Sequence, residues 1–240
     1  MKNRDDVTRE VMAAFEREPL INLHASPIRV DYSNGEVTLT GETETLAAKK
    51  IALEAAGKIP GVSAIIDRLH VMPAERMEDG EIRTHVCNAI VAENLLEPYA
   101  LRALVKGQME SVREPLTASG AIEVAVDKGV VTLNGQVASL SQKRMAGVLA
   151  WWVPGSRDVI NGLEISPPEE DNDDEVIDGI RLALEKDPFV NATQIRVRCR
   201  DYAVTLEGLV TNETERRMAE ADAWYVFRVD SVKNLLQHQE

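Results

Sequence analysis

The string Gly129-Val130-Val131-Thr132-Leu133-Asn134-Gly135 recurs as Gly35-Glu36-Val37-Thr38-Leu39-Thr40-Gly41 and again as Asp201-Tyr202-Ala203-Val204-Thr205-Leu206-Glu207-Gly208. Each copy alternates apolar and polar residues with the period of a half-buried strand and closes on glycine. A strand written three times commits the chain to small copies of one supersecondary unit rather than one large core.

The flanking residues define that unit. Val7, Val11, Met12 and Phe15 form a helical stripe that Pro19 ends, since the residue before a proline is pushed out of the α region. Ile28 to Tyr32 alternates, and Ser33-Asn34-Gly35 turns it into Val37-Thr38-Leu39, a β-hairpin signature. Thr43 or Thr45 caps a second helix through Leu46, Ile51, Leu53 and Ala55, which Pro60-Gly61 breaks before a strand over Val62 to Val71. The order is α-β-β-α-β. The second copy has its hairpin at Ile122 to Leu133 about Asp127-Lys128-Gly129, a helix from Ser139 or Ser141 through Trp151, and a strand from Asp158 to Ile165. In the third, Val176, Ile180 and Leu184 give the first helix, Ile195 to Leu206 the hairpin, Met218 and Trp224 the second helix, and Val232 to Leu236 the last strand.

Two stripes precede the second hairpin. Ile82, Val86, Ile90 and Leu96 predict one helix, and Leu101, Val105, Met109 and Val112 another. Glu18-Pro19-Leu20, Glu114-Pro115-Leu116 and Asp187-Pro188-Phe189 stand at similar distances before their strands. That register makes the stripe from Leu101 the first helix of the second copy, and the helix around Ile82 to Leu96 an insertion that covers an edge or builds a partner groove. The glycines Gly41, Gly135 and Gly208 close the repeated strand. Gly61 and Gly155 follow the second helix at a matching interval, where glycine permits a left-handed exit; the third copy has Arg228 there and must leave differently or under strain.

A net charge of −13 disfavours nucleic acid, whose phosphates demand clustered Lys and Arg, and argues against electrostatic attachment to anionic lipid. Charged residues from the N-terminus onward leave no signal-peptide core, and no run approaches the roughly 20 apolar residues of a membrane span, so cytoplasmic residence is expected. Cys87 and Cys199 read as buried free thiols. His24, His70, His85 and His238 show no metal-ligand spacing, and no nucleophile, P-loop or dinucleotide fingerprint occurs. No catalytic residue, cofactor or metal site is expected. Ser166 to Glu175 reads as an extended acidic linker without the glycine-punctuated spacing of a calcium loop.

The first helix, the Glu/Asp-Pro-Leu/Phe break, the Val-Thr-Leu-x-Gly strand and the Gly-Val or Gly-Ser exit together resemble the BON domain family of bacterial osmotically inducible and nodulation proteins. The resemblance implies an α+β fold, each copy a three-stranded mixed sheet with two helices on one face. It divides the chain into repeats over 1–72, 99–166 and 175–240, with a linker and extra helix over 73–98 and an acidic linker over 167–174. It also implies a non-catalytic module tied to phospholipid surfaces, envelope integrity and osmotic stress. A protein partner or phospholipid surface is the expected ligand, met through faces shared between copies; a soluble sensor taking a cation or small molecule between repeats is the alternative. Trp151, Trp152 and Trp224 are core or inter-repeat packing residues or, at such a boundary, candidate partner contacts.

Overall fold

The computed structural model describes residues 4–238 and divides into two compact units, Met1–Met72 and Pro73–Glu240. In the first, α1 (Arg4–Phe15), β1 (Ile28–Ser33), β2 (Glu36–Thr43), α2 (Leu46–Gly57) and β3 (Ala64–Val71) follow in order. β1 pairs antiparallel and β3 parallel with the central β2. Asn34 (φ 52°) and Gly35 (φ 88°) make the hairpin turn, both left-handed as a tight two-residue loop requires. Val7, Val11 and Phe15 of α1 meet Ile28, Val37, Leu39 and Leu69 of the sheet. α2 closes the core with Ala52 and Ala56, small enough to bring its backbone close, while Ile51 and Leu53 are only half-buried. Thr45 Oγ1 caps α2 by accepting from Ala48 N at 3.1 Å.

The second unit holds two further copies. Its first part runs α3 (Asp79–Ala92), β4 (Ala100–Val105), β5 (Gln108–Arg113), β6 (Ala121–Asp127), β7 (Val130–Val137), α4 (Leu140–Trp151), β8 (Asp158–Asn161) and β9 (Glu164–Ile165). Its second part runs α5 (Asp173–Lys186), β10 (Ile195–Arg200), β11 (Ala203–Val210), α6 (Glu213–Tyr225) and β12 (Ser231–His238). The β10-β11-β12 sheet repeats the pairing of β1-β2-β3, whereas the middle sheet is widened to β5-β4-β6-β7-β8, with β9 also on β7.

Two expectations are corrected. Leu101 to Val112 is a β-hairpin, not a helix. Leu101 and Ala103 alternate inward, and Lys106 (φ 49°) and Gly107 (φ 82°) make the same tight turn as Lys128 and Gly129. Spacings of three and four satisfied a helical template while alternation satisfied a strand, and the Lys-Gly turn decides between them. The helix around Ile82 is consequently not an insertion: α3 is the first helix of the second copy, and the β4–β5 hairpin is the addition. Ile82, Val86 and Ile90 of α3 pack on Ile122 and Val124 of β6, each contributing about 1.5–3 kcal/mol by burial. The N-terminal residues agree. Asp79, first in α3, accepts from Lys128 N and Gly129 N at 2.9 and 2.8 Å; Asp173, first in α5, accepts from Asp201 N and Tyr202 N, both at 2.9 Å. In both copies of the second unit an acid at the start of the first helix holds the turn of the hairpin beneath it.

A second equivalence ties the last strand to the second helix. Asn161 Nδ2 donates to Lys143 O at 2.7 Å and Asn234 Nδ2 to Arg216 O at 3.0 Å, while in the first unit Asp67 pairs with Lys49 Nζ at 3.0 Å. The acidic stretch is also pinned rather than free. Glu169 Oε2 accepts from Leu140 N at 2.6 Å, adding a carboxylate at the N-terminus of α4.

Candidate binding surfaces

Trp151 and Trp152 lie along the seam between the second and third copies. Trp152 Nε1 donates to Asp222 Oδ1 at 2.8 Å, Trp151 stacks on Tyr225 with centroids 5.7 Å apart and planes 8° from parallel, and Trp224 is buried. Beside them Arg144 of α4 is 1% exposed, its Nη2 2.5 Å from Asp171 Oδ1 and its Nε 3.5 Å from the Phe227 carbonyl. Gly179 of α5 leaves room for it, since a Cβ there would stand 2.6 Å from Arg144 Cδ. Lys143 Nζ sits 5.2 Å over the Phe227 ring, and Lys186 of α5 reaches back to Glu93 at 3.0 Å. Helix faces of α4 and α6 are thus occupied by each other, and Trp151 and Trp152 are the tryptophans that reach across this internal junction.

Burial dominates the electrostatics of the seam. The Asp222 carboxyl, 2% exposed, is pushed up to about 8, first by desolvation; the indole N–H of Trp152 opposes the shift and the nearby Asp187 adds to it. Burial likewise raises the Cys87 thiol to about 11 and, together with the Asp173 carboxylate that accepts its hydrogen bond, the Cys199 thiol to about 12, so both are protonated at neutral pH. Cys199 is only half-buried, short of the full burial expected of it. Among the described residues no group of three or more His, Cys, Asp and Glu side chains is placed to hold a metal ion. Nor is any helix there long and apolar enough to cross a membrane.

The glycines divide by cause. Gly41, Gly135 and Gly208 have φ of 146°, 114° and 139°, and a Cβ on them would press into the carbonyls of Pro27, Ala121 and Gln194. They therefore let the first strand of each hairpin approach its partner. Gly61 exits α2 at φ 105°, but Gly155 is not left-handed: it is needed because Met77 and Ile82 press where a Cβ would be, at 2.7 and 2.9 Å. Arg228, at the matching place in the third copy, adopts φ 70° despite its side chain and lies over the Tyr202 ring at 4.3 Å.

Each sheet keeps one face outside these cores. Along β2 and β11 buried Val37, Leu39, Val204 and Leu206 alternate with half-buried or exposed Thr38, Thr40, Thr205 and Glu207. Sequence reasoning looked for binding where copies abut and singled out no residue of these open faces, although strand alternation marks them.

Among solved structures, the C-terminal domain of CdsD, a structural protein of the type III secretion system of Chlamydia trachomatis, aligns along the whole of both chains at 12% identity with a TM-score of 0.25. Osmotically-inducible protein Y of Escherichia coli is 31% identical over 150 residues, covering 60% of this chain and 74% of that protein. The family model described as BON domain matches at 3–73, 99–167 and 172–240. Its second match starts beyond α3, which the β4–β5 hairpin separates from β6. The chain belongs to the BON domain family, in three tandem copies.

Proposed function

We propose that the chain is a non-catalytic binding protein of osmotic-stress physiology that recognises a phospholipid surface. The observation that supports this reading is the run of three BON copies together with similarity to Osmotically-inducible protein Y over most of that protein's length. The seam adds a physical reason. A copy of about 60 residues is marginal alone, and locking the second and third into one body through Arg144 and Trp152 yields a rigid platform with its sheet faces outward. We place the surface on the cytoplasmic side of the membrane; fractionation of osmotically stressed cells tests that side, and recovery outside the cytoplasm would move it. Binding itself is tested by co-sedimentation of the full chain with phosphatidylglycerol-containing and pure phosphatidylcholine vesicles. Association with either supports the reading, and none with both removes it in favour of a protein partner.

A further inference from the structure

Pairing register fixes which side chains share each open face, because residues directly opposite in a sheet point the same way. On the third copy the rows are Arg200-Ala203-Ser231, Arg198-Thr205-Lys233 and Arg196-Glu207-Leu235, followed by Leu209-Gln237. Four cations stand here against one carboxylate, Glu207, which Arg198 meets at 3.2 Å. Arg196, Arg198, Arg200 and Lys233 are all exposed, as are Leu209 at 51% and Leu235 at 43%. With strands about 4.8 Å apart and residues about 3.4 Å apart along them, the cations fall within a patch roughly 10 Å across the strands and about 14 Å along them.

The other copies provide internal comparisons. The equivalent face of the first carries Arg29 and Arg68 against Asp31, Glu36 and Glu42. That of the second carries Glu123, Asp127, Asp158 and Glu164 on β6 to β9, against Arg102 on the adjoining β4. One fold thus shows three versions of the same surface, and only the third is basic, in a chain of net charge −13. The total charge therefore misleads. At physiological salt, charges farther than about 8 Å are screened, so an exposed face acts by its local charge.

We propose that the open face of β10, β11 and β12 is the docking surface for an anionic phospholipid bilayer, an inference that rests on the membrane reading above. The cations match anionic headgroups, and Leu209 and Leu235 supply the apolar contact that a lipid interface accepts. A nucleic acid fits less well. The face carries no aromatic ring for stacking, and a long polyanion would run past the patch onto acidic surface.

The test uses the full chain with vesicles of phosphatidylglycerol and phosphatidylcholine. Each basic side chain near an anionic leaflet contributes about a fivefold gain in partitioning, so Arg198→Gln with Lys233→Gln is expected to weaken binding roughly 30-fold. Arg29→Gln with Arg68→Gln, on the equivalent face of the first copy, is expected to leave it unchanged. Should the first pair fail to fold, Arg196→Gln with Arg200→Gln makes the same test. Binding that the third-copy pair does not alter, or that both pairs weaken equally, overturns the assigned face while the membrane reading stands. A native chain that binds no vesicle overturns both, as does one whose Arg198 and Lys233 engage only nucleic acid or an acidic protein.

Discussion

Asp222 is a carboxyl held where ionisation is costly, and Asp222→Asn isolates that cost. Burial raises its folded value to about 8, against an unfolded carboxyl near 3.9. A group raised on folding contributes stability that is present in full at low pH and lost as pH climbs toward the folded value. The native chain should therefore lose stability between about pH 4 and 8, at up to roughly 1.4 kcal/mol per pH unit. From pH 5 to 8 that bound is about 4 kcal/mol. We expect at least half of that bound, near 2 kcal/mol. Asparagine keeps a carbonyl to accept from Trp152 Nε1 but cannot ionise. The assay is urea unfolding at pH 5 and 8 followed by tryptophan fluorescence, which reports on the seam because Trp151 and Trp152, two of the chain's three tryptophans, cross it. Stability curves for native and variant chains that stay parallel from pH 5 to 8 would refute the reasoning, as would a variant that gains nothing at pH 8.

Arg144→Ala removes the buried cation that Asp171 and the Phe227 carbonyl meet; we expect a loss of about 3 kcal/mol by urea titration, with the second and third copies unfolding separately. An unchanged midpoint would show that the seam does not depend on this residue. Gly135→Ala places a methyl against Ala121 O at a φ of 114°, so a loss above about 2 kcal/mol is expected by thermal unfolding, whereas Gly107→Ala, with nothing within 4 Å, keeps only the smaller backbone strain. Equal losses at the two positions would contradict the close-approach argument.

What the sequence disclosed depended on whether a feature was local. The hairpins about Asn34-Gly35 and Lys128-Gly129 were legible because turn and alternation lie within a few residues of each other. The one about Lys106-Gly107 carried the same signal and was hidden by an apolar spacing that suits helix and strand alike. A helix read into that stripe makes the true first helix of the second copy look superfluous. Of the seam only the tryptophans were legible, as candidates for inter-repeat packing; its pairings were not, because Arg144 to Phe227 and Trp152 to Asp222 join residues whose meeting depends on how two copies dock. The basic face stood between these cases. Arg196, Arg198 and Arg200 alternate visibly, but Lys233 and Leu235 join them only through the parallel register of β12 on β11.

Thr38, Thr132 and Thr205 occupy the same place at the centre of the three open faces, as the registers Asp31–Thr38, Ala125–Thr132 and Arg198–Thr205 show. A nitroxide placed singly at each, through cysteine in a chain whose Cys87 and Cys199 are replaced by serine, reports which face meets an anionic bilayer. The account predicts that only the label at position 205 becomes shielded from a water-soluble paramagnetic quencher when vesicles are added. Shielding at 38 or 132 in its place, or at none of the three while the chain is bound, would contradict it.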